Sequence, residues 1–412
     1  MKCVTRLLFV VQSLVFSLSC FATASEEVLT SIESRAQQLT DLSDRIWDLA
    51  EVGYQETLSS NALKDALVAE GFSIESGVAS IPTAFVASYG SGEPVIAIMG
   101  EFDALPGISQ AAVPVAQKID GKKAAHACGH HLFGAGSAGA AIAVKEWLDR
   151  TETSGTVQFF GTPAEEGGSG KVYMVRAGLF DDVDTVIHWH PSSVNSADSA
   201  STLANRSAKF TFTGVSSHAA SAPERGRSAL DAVESMNFMV NLLREHVPAS
   251  TRLHYVITNG GATPNVVPNT AESFYYVRHP NENALRDIWD RVVATADAAA
   301  MGTGTTMDYE VIHGNYSVLP NDTLARVMHD NLSRVGGFAY SDADKVFANE
   351  IAKTLPTGAY IDGRAIGIKP FEVGQRSNGS TDVGDVSWTV PTVGMSAATW
   401  VPGTGAHTWQ AV

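Results

Sequence analysis

The sequence is poor in cysteine: three in 412 residues, Cys3, Cys20 and Cys128. Two of the three fall in the opening stretch "MKCVTRLLFVVQSLVFSLSCFATASEE". There Lys2 and Arg6 flank the start of an apolar run, and Ala22-Thr23-Ala24 forms an A-x-A cleavage signal. That order predicts a secretory signal peptide over residues 1–24, cut after Ala24, and hence a periplasmic or secreted protein. A lipoprotein signal ending at Cys20 is the weaker reading, because Ser17 stands where leucine is usual. The mature chain would keep only Cys128, which excludes an intrachain disulfide in the compartment where one would form. A lone cysteine is commonly a small buried hydrophobe, and that reading of Cys128 stays open on composition alone.

Basic residues are also scarce, 28 Lys and Arg against 44 Asp and Glu, for a formal charge of −16. No basic stripe is present, which argues against nucleic acid as a partner. After the leader no apolar run is long enough to span a bilayer, so no membrane contact is expected once the signal is removed. Low-complexity segments and internal repeats are absent too. The length suits about two domains.

What the sequence has is alternation. Leu29, Ile32, Ala36, Leu39, Ile46 and Leu49 recur at helical spacing, and a second helix runs from Ser59 to a stop at Gly71. The β-branched or aromatic runs "AFVASYG", "VIAIMG", "TVQFFG" and "TVIHWH" then alternate with helical stretches such as "GSAGAAIAVKEWLDR" and "GKVYMVRAGLF". This predicts an α/β fold with a mainly parallel sheet. Between about Ala204 and Tyr316 the rhythm becomes strand, helix, strand, strand, helix, strand. That β-α-β-β-α-β order is the ferredoxin-like pattern. Helices over 322–335 and 342–354 and a strand near 392–396 follow. The reading is a discontinuous α/β domain, 25–203 and 317–412, with a module of residues 204–316 inserted into it.

Residues able to bind metal gather where such a fold places a site. Glu101 and Asp103 follow one apolar strand, Glu165 and Glu166 another. His190 ends "TVIHWH", and His407 lies beyond "TVGMS". Sites in open α/β sheets form outside the carboxyl ends of strands, so these residues should converge, with Cys128 and His130 joining from the loop before a glycine-rich helix. Each has a bland alternative: a Glu pair is usually solvated, a lone His is as often a core residue, and Cys-Gly-His arises easily by chance. Together, imidazole, thiolate and carboxylate suit a borderline cation such as zinc or manganese. Two such ions about 3.5–4 Å apart share a water, lower its pKa and polarise a carbonyl. A carboxylate outside the metal shell can move the proton.

The ordered motifs "EFDALPG", "HACGHH", "GTPAEEGG", "HWHP", "GVSSHAASAPERGRSALDAV", "GGATPNVVP", "STDVGDVSW" and "HTWQ" resemble those of the dinuclear metallo-aminoacylase and amidohydrolase family of peptidases. That family includes the hippurate and auxin-conjugate hydrolases, and the resemblance is strongest to its p-aminobenzoyl-glutamate hydrolase branch. It implies a metal-dependent amidohydrolase of N-acyl or N-aroyl amino acids or small peptides, with two divalent ions, Mn²⁺ or Zn²⁺. By the same resemblance Cys128, His130, Glu166, His190 and His407 would be metal ligands, Cys128 bridging, and Glu165 the general base. His218 would polarise the scissile carbonyl or steady the oxyanion, Asn265 and Arg278 would bind substrate, and Asp103 would orient a ligand. The inserted module would act as lid and homodimer interface, with the partner supplying part of the site. His188 competes with His190, the roles of His126 and His131 are open, and the resemblance implies a further helix after "HTWQ", where this chain ends at Val412. Two rival readings remain: a non-catalytic metal- or ligand-binding member of the fold, and a hydrolase using Cys128 as nucleophile.

Overall fold

A computed structural model describes residues 26–337, 339–355 and 366–412. The expected signal peptide, 1–24, lies outside the described residues. Helices α1 (Ala36–Leu49) and α2 (Thr57–Ala69) lead into strands β1 (Ser73–Ser76), β2 (Phe85–Ser91) and β3 (Val95–Gly100). Two short strands, β4 (Leu105–Pro106) and β5 (Ala124–Ala125), precede α3 (His130–Thr151), β6 (Gly155–Gly161), α4 (Gly170–Arg176) and β7 (Thr185–Ser192). Then come β8 (Ser199–Ser201), β9 (Ala204–Thr213), α5 (Ala229–Leu243), β10 (Arg252–Asn259), β11 (Thr270–His279), α6 (Glu282–Thr303) and β12 (Thr306–Asn315). The chain closes with α7 (Asp322–Val335), α8 (Asp342–Ala352), β13 (Val373–Arg376), α9 (Val383–Ser387) and β14 (Thr392–Ala398).

The central sheet has the order β1-β2-β6-β3-β7-β14. Strands β6, β3, β7 and β14 are parallel, while β1 and β2 form an antiparallel edge. Neighbouring residues on a strand face opposite sides, so one strand feeds two cores. On β6, Phe159 packs with Phe85, Ile98, Leu63 and Ile142 under α2 and α3. The next residue, Phe160, packs with Met99, Phe180, Val186 and Val386 on the other side. Both rings are essentially buried, and replacing either by alanine would cost about 3–5 kcal/mol. The sheet is thus covered on both faces, as expected of parallel strands.

The second sheet has the order β10-β11-β9-β12, all antiparallel, with α5 and α6 packed on one face. Its helices begin where side chains can cap them: Ser228 accepts from the Asp231 N–H and Asn281 from the Ala284 N–H. The expected α/β class, with an inserted β-α-β-β-α-β module of ferredoxin-like strand order, is therefore the observed one. Antiparallel pairing of β1 and β2 is the feature alternation alone left unspecified.

Candidate metal centre

Helix α3 starts at the site because two glycines let it. Gly129 has a left-handed backbone (φ 78°), and a Cβ there would sit 2.7 Å from the Pro191 side chain. Gly134 passes so close to β3 that a Cβ would lie 2.8 Å from the Glu101 carbonyl. The first turn of α3 is thereby set beside the ends of β3 and β7. Ala164, just before the glutamate pair, is left-handed as well (φ 60°). Its N–H donates to the buried Glu56 carboxylate at 2.9 Å, which fixes the turn that aims Glu165 and Glu166.

Cys128, His130 and His190 hold their ligand atoms within 4.8 Å of one another, as do Cys128, Glu166 and His407, and also Glu101, His130 and Glu165. Cys128 belongs to the first two triads, with its Sγ 3.6 Å from His190 Nε2. Asp103 ties the two together: Oδ1 accepts from His130 Nδ1 at 2.9 Å, and Oδ2 accepts the Glu166 N–H at 2.9 Å. That fixes His130 with Nε2 turned to the site. His407 arrives from beyond β14, its N–H bonded to the Ala127 carbonyl at 2.9 Å and its Nε2 3.3 Å from Glu166 Oε2. Its φ of 64° is strained for a histidine.

The donor set fits divalent cations. His130 Nε2 and Glu166 Oε1 are buried without a hydrogen-bond partner among the described residues, a costly state unless something else satisfies them. His130 Nε2 lies 3.0 Å from Glu101 Oε2, but out of hydrogen-bonding alignment. Carboxylates crowd the centre. Burial opposes a proton on His130, yet Glu101 and Asp103 outweigh it and hold its pKa well above the ordinary value. Burial, then Glu101, Glu166 and Asp382, push Glu165 well up. Burial also pushes the Cys128 thiol up to about 12. That is the reverse of an activated nucleophile, whereas a bound cation would hold it as thiolate.

Glu101, Cys128, Glu165, Glu166, His190 and His407 line a cavity of about 840 Å³ between the two sheets. Its floor carries Glu165, Glu166, His190 and His407, with Phe133, Leu105, Met395 and Trp400 near them, and Arg278, Tyr276 and His313 come from the second sheet.

Comparison with known proteins fits this geometry. Residues 97–410 match the profile of peptidase family M20/M25/M40. The chain belongs to that family. This M20 protein is accordingly a metal-dependent hydrolase of amide or peptide bonds. It is 40% identical over 409 residues to one of the subunits of p-aminobenzoyl-glutamate hydrolase of Escherichia coli (strain K12), covering 93% of this chain and 85% of that protein. It is 30% identical over 373 residues to the Xaa-Arg dipeptidase of Mus musculus, covering 87% and 76%. Among solved structures it resembles the aminobenzoyl-glutamate utilization protein from Klebsiella pneumoniae, with TM-score 0.64, 17% identity and 90% and 94% coverage. It also resembles a dinuclear metal-binding M20 peptidase from Bacillus subtilis, with TM-score 0.58, 19% identity and 88% and 89% coverage. The non-catalytic and cysteine-nucleophile readings gain nothing from these findings.

The M20 chain brings Cys128, His130, Glu165, Glu166, His190, His407, Asp103 and Arg278 to one place. Of the two histidines on β7, His190 meets Cys128 while His188 packs on Gly394 of β14. His126 and His131 form a buried ring pair 5.1 Å apart, and His126 Nε2 meets the Ile46 carbonyl at 3.1 Å, away from the ligand triads. His218 and Asn265 are exposed on the inserted module, outside the cavity of their own chain. Sequence reasoning missed the buried Lys171, whose Nζ lies 2.6 Å from Glu101 Oε1 and 2.7 Å from Asp382 Oδ1. A lysine in the apolar run "GKVYMV" was the available signal. It also missed Tyr276 and His313, which only strand register reveals.

Proposed function

We propose that this hydrolase cleaves the amide bond of N-acyl or N-aroyl amino acids, conjugates like p-aminobenzoyl-glutamate among them, at a centre of two zinc or manganese ions. The sharing of Cys128 between two ligand triads carries the reading: as a thiolate it would offset the repulsion of cations held by the two triads. Cys128, His130 and His190 would hold one ion, and Cys128, Glu166 and His407 the other. Bound there, divalent cations supply Lewis acidity and an activated water. Glu165, beside the centre and outside the two triads that share Cys128, takes the proton of the attacking water and returns it to the leaving amine. Arg278, half-buried and without an acidic partner among the described residues, holds a substrate carboxylate. Leu105, Met395 and Trp400 offer the acyl or aryl group an apolar wall.

The working unit in this reading is an exported homodimer. The leader sequence supports export. Dimerisation is supported by β10, an edge strand with Val256 and Ile257 exposed, and by α5, whose Phe238 and Leu242 are exposed one turn apart. A second copy would deliver His218 and Asn265 to the cleft that their own chain does not fill. The test is Glu165→Gln, loaded with each metal and offered a panel of N-acyl amino acids and dipeptides. Normal metal content with turnover lower by about 10²–10⁴-fold supports the reading; turnover near wild type refutes it.

A further inference from the structure

The cavity roof is one face of the inserted sheet, and strand register sets what it presents. Arg252, Arg278, Asn205 and Asn315 form one cross-strand row, and His254, Tyr276, Ser207 and His313 form the parallel row two residues away. Period-two geometry puts both rows on the same side, while Tyr275 and Val277 point into the core beneath α5 and α6. Six of those eight residues line the cavity: Arg278, Asn205, Asn315, His254, Tyr276 and His313. The roof carries cation and amide donors, whereas the floor carries carboxylates.

Within it His313 is unusual. It is only 9% exposed, and its Nδ1 is contacted by Ser169 Oγ at 3.1 Å and Asn205 Nδ2 at 3.4 Å. An amide nitrogen can only donate, so Nδ1 is the acceptor and the ring proton sits on Nε2. Nε2 is buried and has no hydrogen-bond partner among the described residues. Burial and the charge of Arg278 lower the His313 pKa to about 4, which keeps the ring neutral. Arg278, stacked on the Tyr276 ring at 5.4 Å, likewise has an unpartnered Nε. Tyr276 also meets the His313 ring at 5.0 Å, so the two donors flank one aromatic side chain.

We propose that His313 is a specificity-determining residue for the amino-acid half of the substrate. Its Nε2–H donates to a second carboxylate, beside the one held by Arg278, and so selects dicarboxylic over monocarboxylic amino acids. This rests on the amidohydrolase reading above. A single guanidinium suits any carboxylate; a second oriented donor on the same face discriminates, because a substrate lacking the second acceptor leaves a buried N–H unpaired. A carboxylate oxygen is the acceptor best served, since charge-assisted bonds are the stronger ones.

Two substitutions separate the nitrogens of the ring. His313→Asn keeps a polar atom near the Nδ1 position, and with it the Ser169 contact, but removes the Nε2 donor. His313→Gln restores a donor near Nε2. In metal-loaded protein, His313→Asn should lower kcat/KM for an N-aroyl-glutamate about tenfold or more, mainly through KM, while changing that for the N-aroyl-alanine less than about twofold. His313→Gln should recover most of the loss. The two substrates falling together, or neither changing, would overturn the proposal. Calorimetric binding of the same two compounds to wild type and His313→Asn gives a readout independent of turnover. Preferential glutamate binding that His313→Asn abolishes supports the proposal even if turnover is absent, in which case the amidohydrolase reading alone fails. Equal binding of both compounds to wild type overturns it.

Discussion

Asp103 and His130 are joined by a 2.9 Å bond from Nδ1 to Oδ1, with neither side chain exposed to solvent. The same carboxylate receives the Glu166 N–H through its other oxygen, so one buried side chain orients a ligand of each triad. Removing such a support typically costs 10- to 100-fold in metal affinity. Asp103→Ala is therefore expected to weaken binding at both positions by about that factor, read by competition against a chelator. Affinity within twofold of wild type would show that His130 and Glu166 hold their positions without it.

Lys171 is fully buried between Glu101 and Asp382 and also donates its backbone N–H to Asp382. It joins α4, the end of β3 and the segment before α9, three pieces distant in sequence. Taking away one partner of a buried charge cluster leaves the others uncompensated and costs about 3–5 kcal/mol. Lys171→Met should lower the denaturation midpoint accordingly, measured with metal removed so that ligand binding does not mask the loss. An unchanged midpoint would mean the two carboxylates are neutral.

Glu56 titrates with a sign opposite to most carboxylates. Burial, with Asp103 adding repulsion, raises its pKa from 4.5 to about 7. Between these values the folded protein holds a proton that the unfolded chain has released. This group's contribution is therefore fully present below pH 4.5 and is lost as pH rises toward about 7. At roughly 1.4 kcal/mol per unit, the loss is about 3 kcal/mol at most. Glu56→Gln should remove that dependence, gaining stability relative to wild type between pH 5 and pH 8 in urea titrations, by up to about 3 kcal/mol. Parallel pH curves for the two proteins would contradict this.

Much of this was legible in the sequence, for physical reasons. Alternating strands and helices imply a parallel sheet, and such sheets gather side chains beyond their strand ends. Glu101, Asp103, Glu165, Glu166 and His190 could thus be grouped from the order of residues alone. Cys128 and His130 followed from a Cys-Gly-His whose glycine proves to be required by both φ and space. What stayed hidden depends on distance or register. Lys171 and Asp382 are 211 residues apart, and no local pattern announces their pairing. Arg278 was reached only through family resemblance, and His313 not at all, because a strand's register cannot be read from its own residues. The antiparallel edge of β1 and β2 was invisible for the same reason. His218 and Asn265 were legible as motifs, yet they lie outside the cavity of their own chain.

The most direct test of the account is the number of tightly bound divalent ions per chain, by elemental analysis, in wild type, His407→Ala and Cys128→Ala. Two shared triads predict about two ions in wild type, about one in His407→Ala, and neither held tightly in Cys128→Ala, since one sulfur serves both positions. A Cys128→Ala protein that keeps both ions at wild-type affinity would contradict the shared-thiolate centre.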